Sequence, residues 1–485
     1  MTTTLRGSVA PAGAIRDGSP RAHFALGTRL ERTISGVGVR TALCMLILLI
    51  AGVAGGGQGG LGDVLAQQLS FLLLALLAWE GYRQRLAWRA PGWVRALPAL
   101  AVALPLLQLL PIPISMWSWG PARSELAGQL AQVGVSAIHV ISLNPSATKA
   151  SLLSMAPAIA VFLAALTLPR RPQVAMLVLV GLLALGDVLM GMAQLGEGRG
   201  SALRLYENTN HDQAVGFFAN RNHLAGFLAM CIPAVIGTTS WALVERIEGR
   251  RLSPLWIVAG CGLLVLLILG IAMTSSRAGL LLGMLAVLGS LAIMTRTRRR
   301  HGGKRVLVLT IGIAVVLAIQ LSLIGVLQRL DSDPLEDGRW QYGQVTRAAA
   351  AEYAPLGSGL GTFRQAYQPF EARSRPSNVI INHAHNDYLE LWLEGGVAAL
   401  LLMALGAAAW AYRSYRLWRP SADPEEAGTW PVILSRAAWL AVTLALVHSA
   451  LDYPLRTTAS MSVFALFAAI AFSARSARGA HHPRA

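Results

Sequence analysis

A chain of 485 residues with 54% hydrophobic and only 13% charged side chains, at a mean hydropathy of +0.52, cannot be an ordinary soluble domain or a disordered polyelectrolyte. Its net charge of +17 accompanies apolar blocks along the whole length, so cytoplasmic retention and attraction to anionic lipid are expected rather than nucleic-acid binding. Cys44, Cys231 and Cys261 all fall inside apolar stretches and offer neither a disulfide framework nor a metal-ligand spacing.

Residues 1–40 are polar and basic and read as a cytoplasmic tail. The first apolar run starts too late for a cleaved signal peptide, which predicts an uncleaved anchor. A spanning helix needs roughly 20 mainly apolar residues. Twelve stretches approach that length, near 41–56, 62–79, 96–112, 152–168, 173–194, 222–243, 254–273, 278–294, 306–327, 389–411, 431–450 and 457–474. The expected fold is therefore an all-α polytopic membrane protein, with a transmembrane domain at 41–474 and a second short cytoplasmic tail at 475–485. Asp63 and Asp187 place acids inside these spans, and Asp187 is expected to pair with a neighbouring helix.

Basic residues orient the bundle. With the N-terminus inside, the inner segments carry 28 of the 41 basic residues and 8 of the 24 acidic ones, while the outer segments carry 13 and 14. Three outer segments are long enough to build a site: Pro111–Lys149, Gly196–Arg221 and the largest, 328–388. In the last, GRWQYGQVTRAAAAEY has helical composition, Pro355 ends it, and the glycine run GSGLG follows as a candidate hinge of an aromatic lid. Trp340, Tyr353, Phe363, Tyr367 and Phe370 suit such a segment to the headgroup layer. The run Gly357, Gly359, Gly361 has no preceding strand and does not read as a nucleotide loop. GGKR at Gly302 lacks the spacing of a P-loop.

Polar residues gather at outer helix ends. FFANRNHLAG places Arg221, Asn222 and His223 at the start of the sixth span; TSSRAG places Ser276 and Arg277 in the turn before the eighth; HSALDYPLR places His448, Asp452 and Arg456 at the end of the eleventh. INHAHNDYLELWLEGG adds His383, His385, Asn386 and Asp387 ahead of the tenth. Singly, each has a plain structural reading: arginines snorkel, and Asn or Asp caps helices. Together, Arg221, Arg277 and Arg456 would suit an anion, because guanidinium forks match phosphate oxygens in pairs. His383, His385 and Asp387 alternate on one face as metal ligands can, but no Cys, third His or HExxH helix accompanies them, so no metal is expected.

ANRNHLAG, TSSRAG, PLGSGLGTF followed by HAHNDYLELWLEGG, and HSALDYPLR resemble the signature segments of the O-antigen ligase and O-antigen polymerase family of bacterial membrane glycosyltransferases, over residues 200–457. The resemblance implies a GT-C-like bundle with a large, partly helical periplasmic loop, in the inner membrane with both termini cytoplasmic. It implies an undecaprenyl-diphosphate-linked glycan donor, a glycan or lipid A-core acceptor, and no cofactor or metal. Membrane lipids and polysaccharide export and chain-length proteins are the implied partners. On matching positions, Arg277 takes the place of the family's turn arginine, His385 that of the histidine before Asn, and Arg221 that of a second arginine, with His383 competing for the catalytic role. Asn222, His223, His383, Asn386, Ser276, His448, Asp452 and Arg456 are the expected substrate contacts.

Two other classes stay open on the residues alone. A polysaccharide transporter or flippase also has about a dozen helices, though its halves usually repeat and its polar groups sit at mid-depth. A protein O-oligosaccharyltransferase would share the donor chemistry and differ in its acceptor groove.

Overall fold

A computed structural model describes residues 20–134, 138–247, 253–295, 312, 334–371, 380–419 and 429–473. The chain is an all-α polytopic membrane protein. In order the helices are α1 (Pro20–Ala54), α2 (Leu61–Tyr82), α3 (Gly92–Gln108), α4 (Ile114–Trp117), α5 (Pro121–Gln132), α6 (Pro145–Ser154), α7 (Ala156–Ala165) and α8 (Arg170–Glu197). They continue with α9 (Arg221–Ile247), α10 (Leu255–Met273), α11 (Arg277–Thr295), α12 (Pro334–Glu352), α13 (Phe363–Tyr367), α14 (Asp387–Trp418), α15 (Trp430–Ser449) and α16 (Thr458–Phe472). Sheet among the described residues is confined to β1 (Pro111–Pro113) and β2 (Ile138–Val140), antiparallel with Ile112 opposite His139.

The expected count of twelve spans is not reproduced. Nine helices among the described residues are long and apolar enough to cross a membrane, α3 and α16 are apolar but shorter, and the stretch 306–327 lies outside the described residues. Pro98 and Pro105 interrupt the hydrogen-bond ladder of α3. The span expected at 152–168 is formed by α6 and α7 in succession, counted as one crossing at Pro145–Ala165; they meet at Met155, with Pro157 in the first turn of α7 where a missing N–H costs little.

Burial orders the helices from centre to edge. In the apolar window of α9, 89% of residues are buried, against 33% in α10 and 28% in α14, so α9 is the axis about which α8, α10, α11 and α15 pack. Lipid offers no hydrophobic drive between helices, so close approach depends on small residues. Gly226 lies against the His448 ring, Gly237 against Ala437 and Gly279 against Ala225; a Cβ would collide at Gly226 and Gly279 and be tight at Gly237. Leu182, Leu189, Met284, Leu288, Leu401 and Leu405 point outward, as lipid-facing positions should.

At one end of the bundle an extramembrane layer is built from β1, β2, α5, α12 and α13. It has its own core of Ala349, Ala350, Tyr353, Phe363, Tyr367 and Ile381, which reaches Leu393 on α14. The join is made at a break in α14. Gly396 takes φ 57° and ψ −144°, splitting that helix about two and a half turns beyond its polar start. The glycine run fills the break: Ser358 N–H donates to Leu393 O at 3.0 Å, Gly359 N–H to Glu394 O at 2.8 Å, and Val397 N–H to Pro355 O at 2.9 Å. Gly357, Gly359 and Gly361 all have positive φ, and a Cβ on Gly357 would lie 2.5 Å from Glu394 O. Arg123, fully buried, donates to the carbonyls of Gly357 and Ile141, and burial pushes its guanidinium down to about 10. The run expected as a hinge is thus a fastener, tied through its backbone.

Candidate active site

Helix ends converge beneath this layer. Asn386 caps α14: its side-chain oxygen accepts from Tyr388 N–H and Leu389 N–H at 3.0 Å each, while its amide donates to Ala450 O at 3.0 Å. That cap fixes the start of α14 against the turn after α15, and His385 just before it takes φ 51°. Ser276 caps α11 in the same way, accepting from Gly279 N–H at 3.0 Å, and Arg277 follows, exposed, as the first residue of that helix. The contact of Gly279 with Ala225 sets the start of α11 beside the first turns of α9, where Arg221, Asn222 and His223 lie. Arg221 is largely buried, and its backbone N–H donates to the Asn210 side chain at 3.0 Å.

Asp452 is the centre. It is 0% exposed, and its Oδ1 accepts from His385 Nδ1 at 3.0 Å and from Tyr453 N–H at 3.0 Å. Its Oδ2 accepts from Asn222 Nδ2 at 2.9 Å and faces Arg339 Nη2 at 3.5 Å. Desolvation would raise this carboxyl, but the His385 hydrogen bond and the charges of His223, His385 and Arg339 outweigh it and hold Asp452 below its ordinary 3.8. An ionised carboxylate only accepts, so His385 Nδ1 carries hydrogen and the neutral ring presents Nε2 as its basic nitrogen.

A second carboxylate group lies on α14. Asp387, Glu390 and Glu394 share one helical face by their spacing of three and four residues. Arg456 reaches all three, with Nη1 2.9 Å from Glu394 Oε2, Nη2 3.5 Å from Glu390 Oε1 and Nε 3.5 Å from Asp387 Oδ1. Desolvation pulls the guanidinium down, but Glu390, Glu394 and Asp387 more than offset it and hold Arg456 above the ordinary arginine range. Glu394 also accepts from the N–H groups of Gly361 at 2.9 Å and Phe363 at 3.1 Å, so the site, the kink and the glycine run form one network. Arg456 accordingly serves α14 rather than an incoming anion.

The two competing histidines differ. His383 Nδ1 lies 2.8 Å from Glu390 Oε1, its ring stacks on Tyr453 at 4.1 Å, and its side chain is 14% exposed. His385 meets Tyr453 edge-on at 5.0 Å and is 25% exposed. Tyr453 also receives the edge of His223 at 4.7 Å, so one phenol organises three imidazoles. Burial, with Asp452 beside it, pushes that phenol above its usual 10.0. His448 is buried against Gly226, and its Nε2 has no hydrogen-bond partner among the described residues.

Of the expected residues, Asn222, His223, His383, His385 and Asp452 meet directly or through Tyr453, and Asn386 and Ser276 act as caps. Arg221 and Arg277 open the adjoining helices. Sequence reading missed Tyr453, Arg339, Glu390 and Glu394. Three carboxylates at helical spacing within an apolar run were a visible signal for the last two. Arg339 had none: it reaches Asp452 from α12, 113 positions earlier in the chain. No group of three or more His, Cys, Asp or Glu among the described residues is arranged to hold a metal ion.

Residues 262–404 match a family model described as O-antigen ligase. No curated protein matches the chain. The matched stretch holds Arg277, Arg339, His383, His385 and the α14 carboxylates, whereas Arg221, Asn222, His223, Asp452 and Arg456 join them only through the fold.

Proposed function

We propose, from the match of residues 262–404 to an O-antigen ligase family model and from the geometry of the site, that the chain transfers a glycan from an undecaprenyl-diphosphate carrier to an acceptor hydroxyl at the periplasmic face of the inner membrane, with inversion. His385 Nε2 takes the proton of the acceptor hydroxyl as its oxygen bonds to the anomeric carbon. The bond from that carbon to the diphosphate oxygen breaks, and the diphosphate leaves with the electron pair. Arg277 and Arg221, at the starts of two adjacent helices, hold the developing charge. Asp452 keeps the His385 tautomer and steadies the imidazolium that forms.

The observation that carries this reading is the His385–Asp452 pair, 3.0 Å apart, at the end of a bundle where Arg221 and Arg277 also begin helices. Greater exposure favours His385 over His383 as the base. His383 is held by Glu390, which Arg456 and the Ala384 N–H also engage.

Purified His385→Ala, supplied with a lipid-linked glycan donor, is expected to lose transfer by about 10²-fold or more, the usual worth of a positioned base. Full transfer by this variant in a correctly folded background removes the assignment. Polymerisation of repeats is the favoured outcome over ligation. Surface polysaccharide from a deletion strain separates them: single repeats indicate a polymerase, and intact polymer left on its carrier indicates a ligase.

A further inference from the structure

The opposite end of the bundle holds a second cluster of cations that the chemistry above does not use. It lies where α3, α8 and α15 begin and α14 and α16 end. Arg170, at the start of α8, donates to Gln173 Oε1 at 2.9 Å, Ser435 Oγ at 3.1 Å and Ile470 O at 3.4 Å, all neutral oxygens. It lies close enough to Arg413 and Arg89 to feel both charges. Arg413 donates to the carbonyls of Ala471 and Ser473. Arg89 is anchored by its backbone, N–H to Leu166 O at 2.9 Å, and Arg95 lies 5.0 Å over the ring of neighbouring Trp88. The Nε atoms of Arg89 and Arg95 are buried with no hydrogen-bond partner among the described residues.

Charge compensation is the point. At this same end Arg40 is matched by Glu80 in a buried ion pair. Among the described residues no carboxylate pairs with Arg89, Arg95 or Arg170. Like charges gathered in a low-dielectric setting are costly unless an anion joins them. The surroundings are aromatic: Trp93 meets Tyr412 and Phe472 edge-on, each at 5.8 Å, as in a headgroup belt. A phosphate group held between helices, with acyl chains running along the outward apolar faces, satisfies charge and location together.

We propose that Arg89, Arg95 and Arg170 form a phosphate-binding site for the headgroup of an anionic membrane lipid, at the end of the bundle opposite the candidate active site. Bound there, the lipid ties the starts of α3 and α8 to the ends of α14 and α16 and stabilises the helix packing.

The test uses the full chain in neutral detergent, with the thermal unfolding midpoint followed against added phosphatidylglycerol, phosphatidylcholine or inorganic phosphate. Phosphatidylglycerol is expected to raise the midpoint saturably, and the other two to leave it unchanged. The double variant Arg89→Gln with Arg95→Gln, which spares the hydrogen bonds of Arg170, should weaken the phosphatidylglycerol response about tenfold or more, with Arg89→Lys close to wild type. Arg85→Gln, an exposed cation outside the cluster, should change it less than about twofold. Equal shifts from the two lipids, or equal weakening by Arg85→Gln and the double variant, would mean diffuse surface charge and overturn the site. A saturable shift from inorganic phosphate without one from phosphatidylglycerol would overturn the lipid as its occupant.

Discussion

At the scale of single residues, Asp452 gathers donors from four parts of the chain: His385, Asn222, Arg339 and its own neighbour Tyr453. Asp452→Asn keeps the shape and removes the charge that selects the His385 tautomer, so kcat should fall by about 10²–10⁴ with KM nearly unchanged, measured on a lipid-linked donor. A depressed carboxyl stabilises the fold fully above its unfolded value of 3.8, and that contribution is lost as pH falls below it. The unfolding midpoint of the wild type should therefore drop more steeply below about pH 4 than that of Asp452→Asn, while between pH 5 and 8 Asp452 does not titrate at all. Arg339 is 28% exposed and its contact with Asp452 is the longest of the set. Arg339→Ala should lower donor binding or turnover by about tenfold, the scale of one charge-assisted contact, and unchanged KM and kcat would reduce it to a surface residue of α12.

Elements matter here through how they end. Helix α14 breaks at Gly396, and the carbonyls freed by the break are taken up by the glycine run and by Gln108, whose side chain donates to Glu394 O at 2.8 Å. Gly357→Ala should cost about 1–3 kcal/mol of stability, from a positive φ that a side chain resists and a Cβ that meets backbone. A midpoint within a degree of wild type would mean the run does not hold the kink. Arg456→Met leaves Glu394, Glu390 and Asp387 without their shared cation and should destabilise by about 3–5 kcal/mol, partly recovered by Arg456→Lys.

On the scale of the whole molecule, the bundle brings the starts of α9, α11, α14 and α16 and the end of α15 to one end, and Arg95 of α3, Arg170 of α8 and Arg413 of α14 to the other. Single cysteines at 221, 277 and 385 should therefore share one accessibility to a membrane-impermeant thiol reagent, opposite to one placed at 89. Labelling of 277 and 385 from different sides would break the site apart.

Composition and hydropathy alone determined that this chain is a helical membrane protein, because a span must be long and apolar wherever it lies. Local chemistry likewise marked NRNH, SSRAG and HAHND, whose polar groups are conspicuous beside apolar runs. What only the tertiary structure decided is who meets whom. Asp452 rather than another acid faces His385, Arg456 is consumed by carboxylates, Tyr453 sits among three histidines, and the glycine run is a fastener. Such pairings join residues tens to hundreds of positions apart, and they depend on helix register and on a kink at Gly396, which no local pattern encodes.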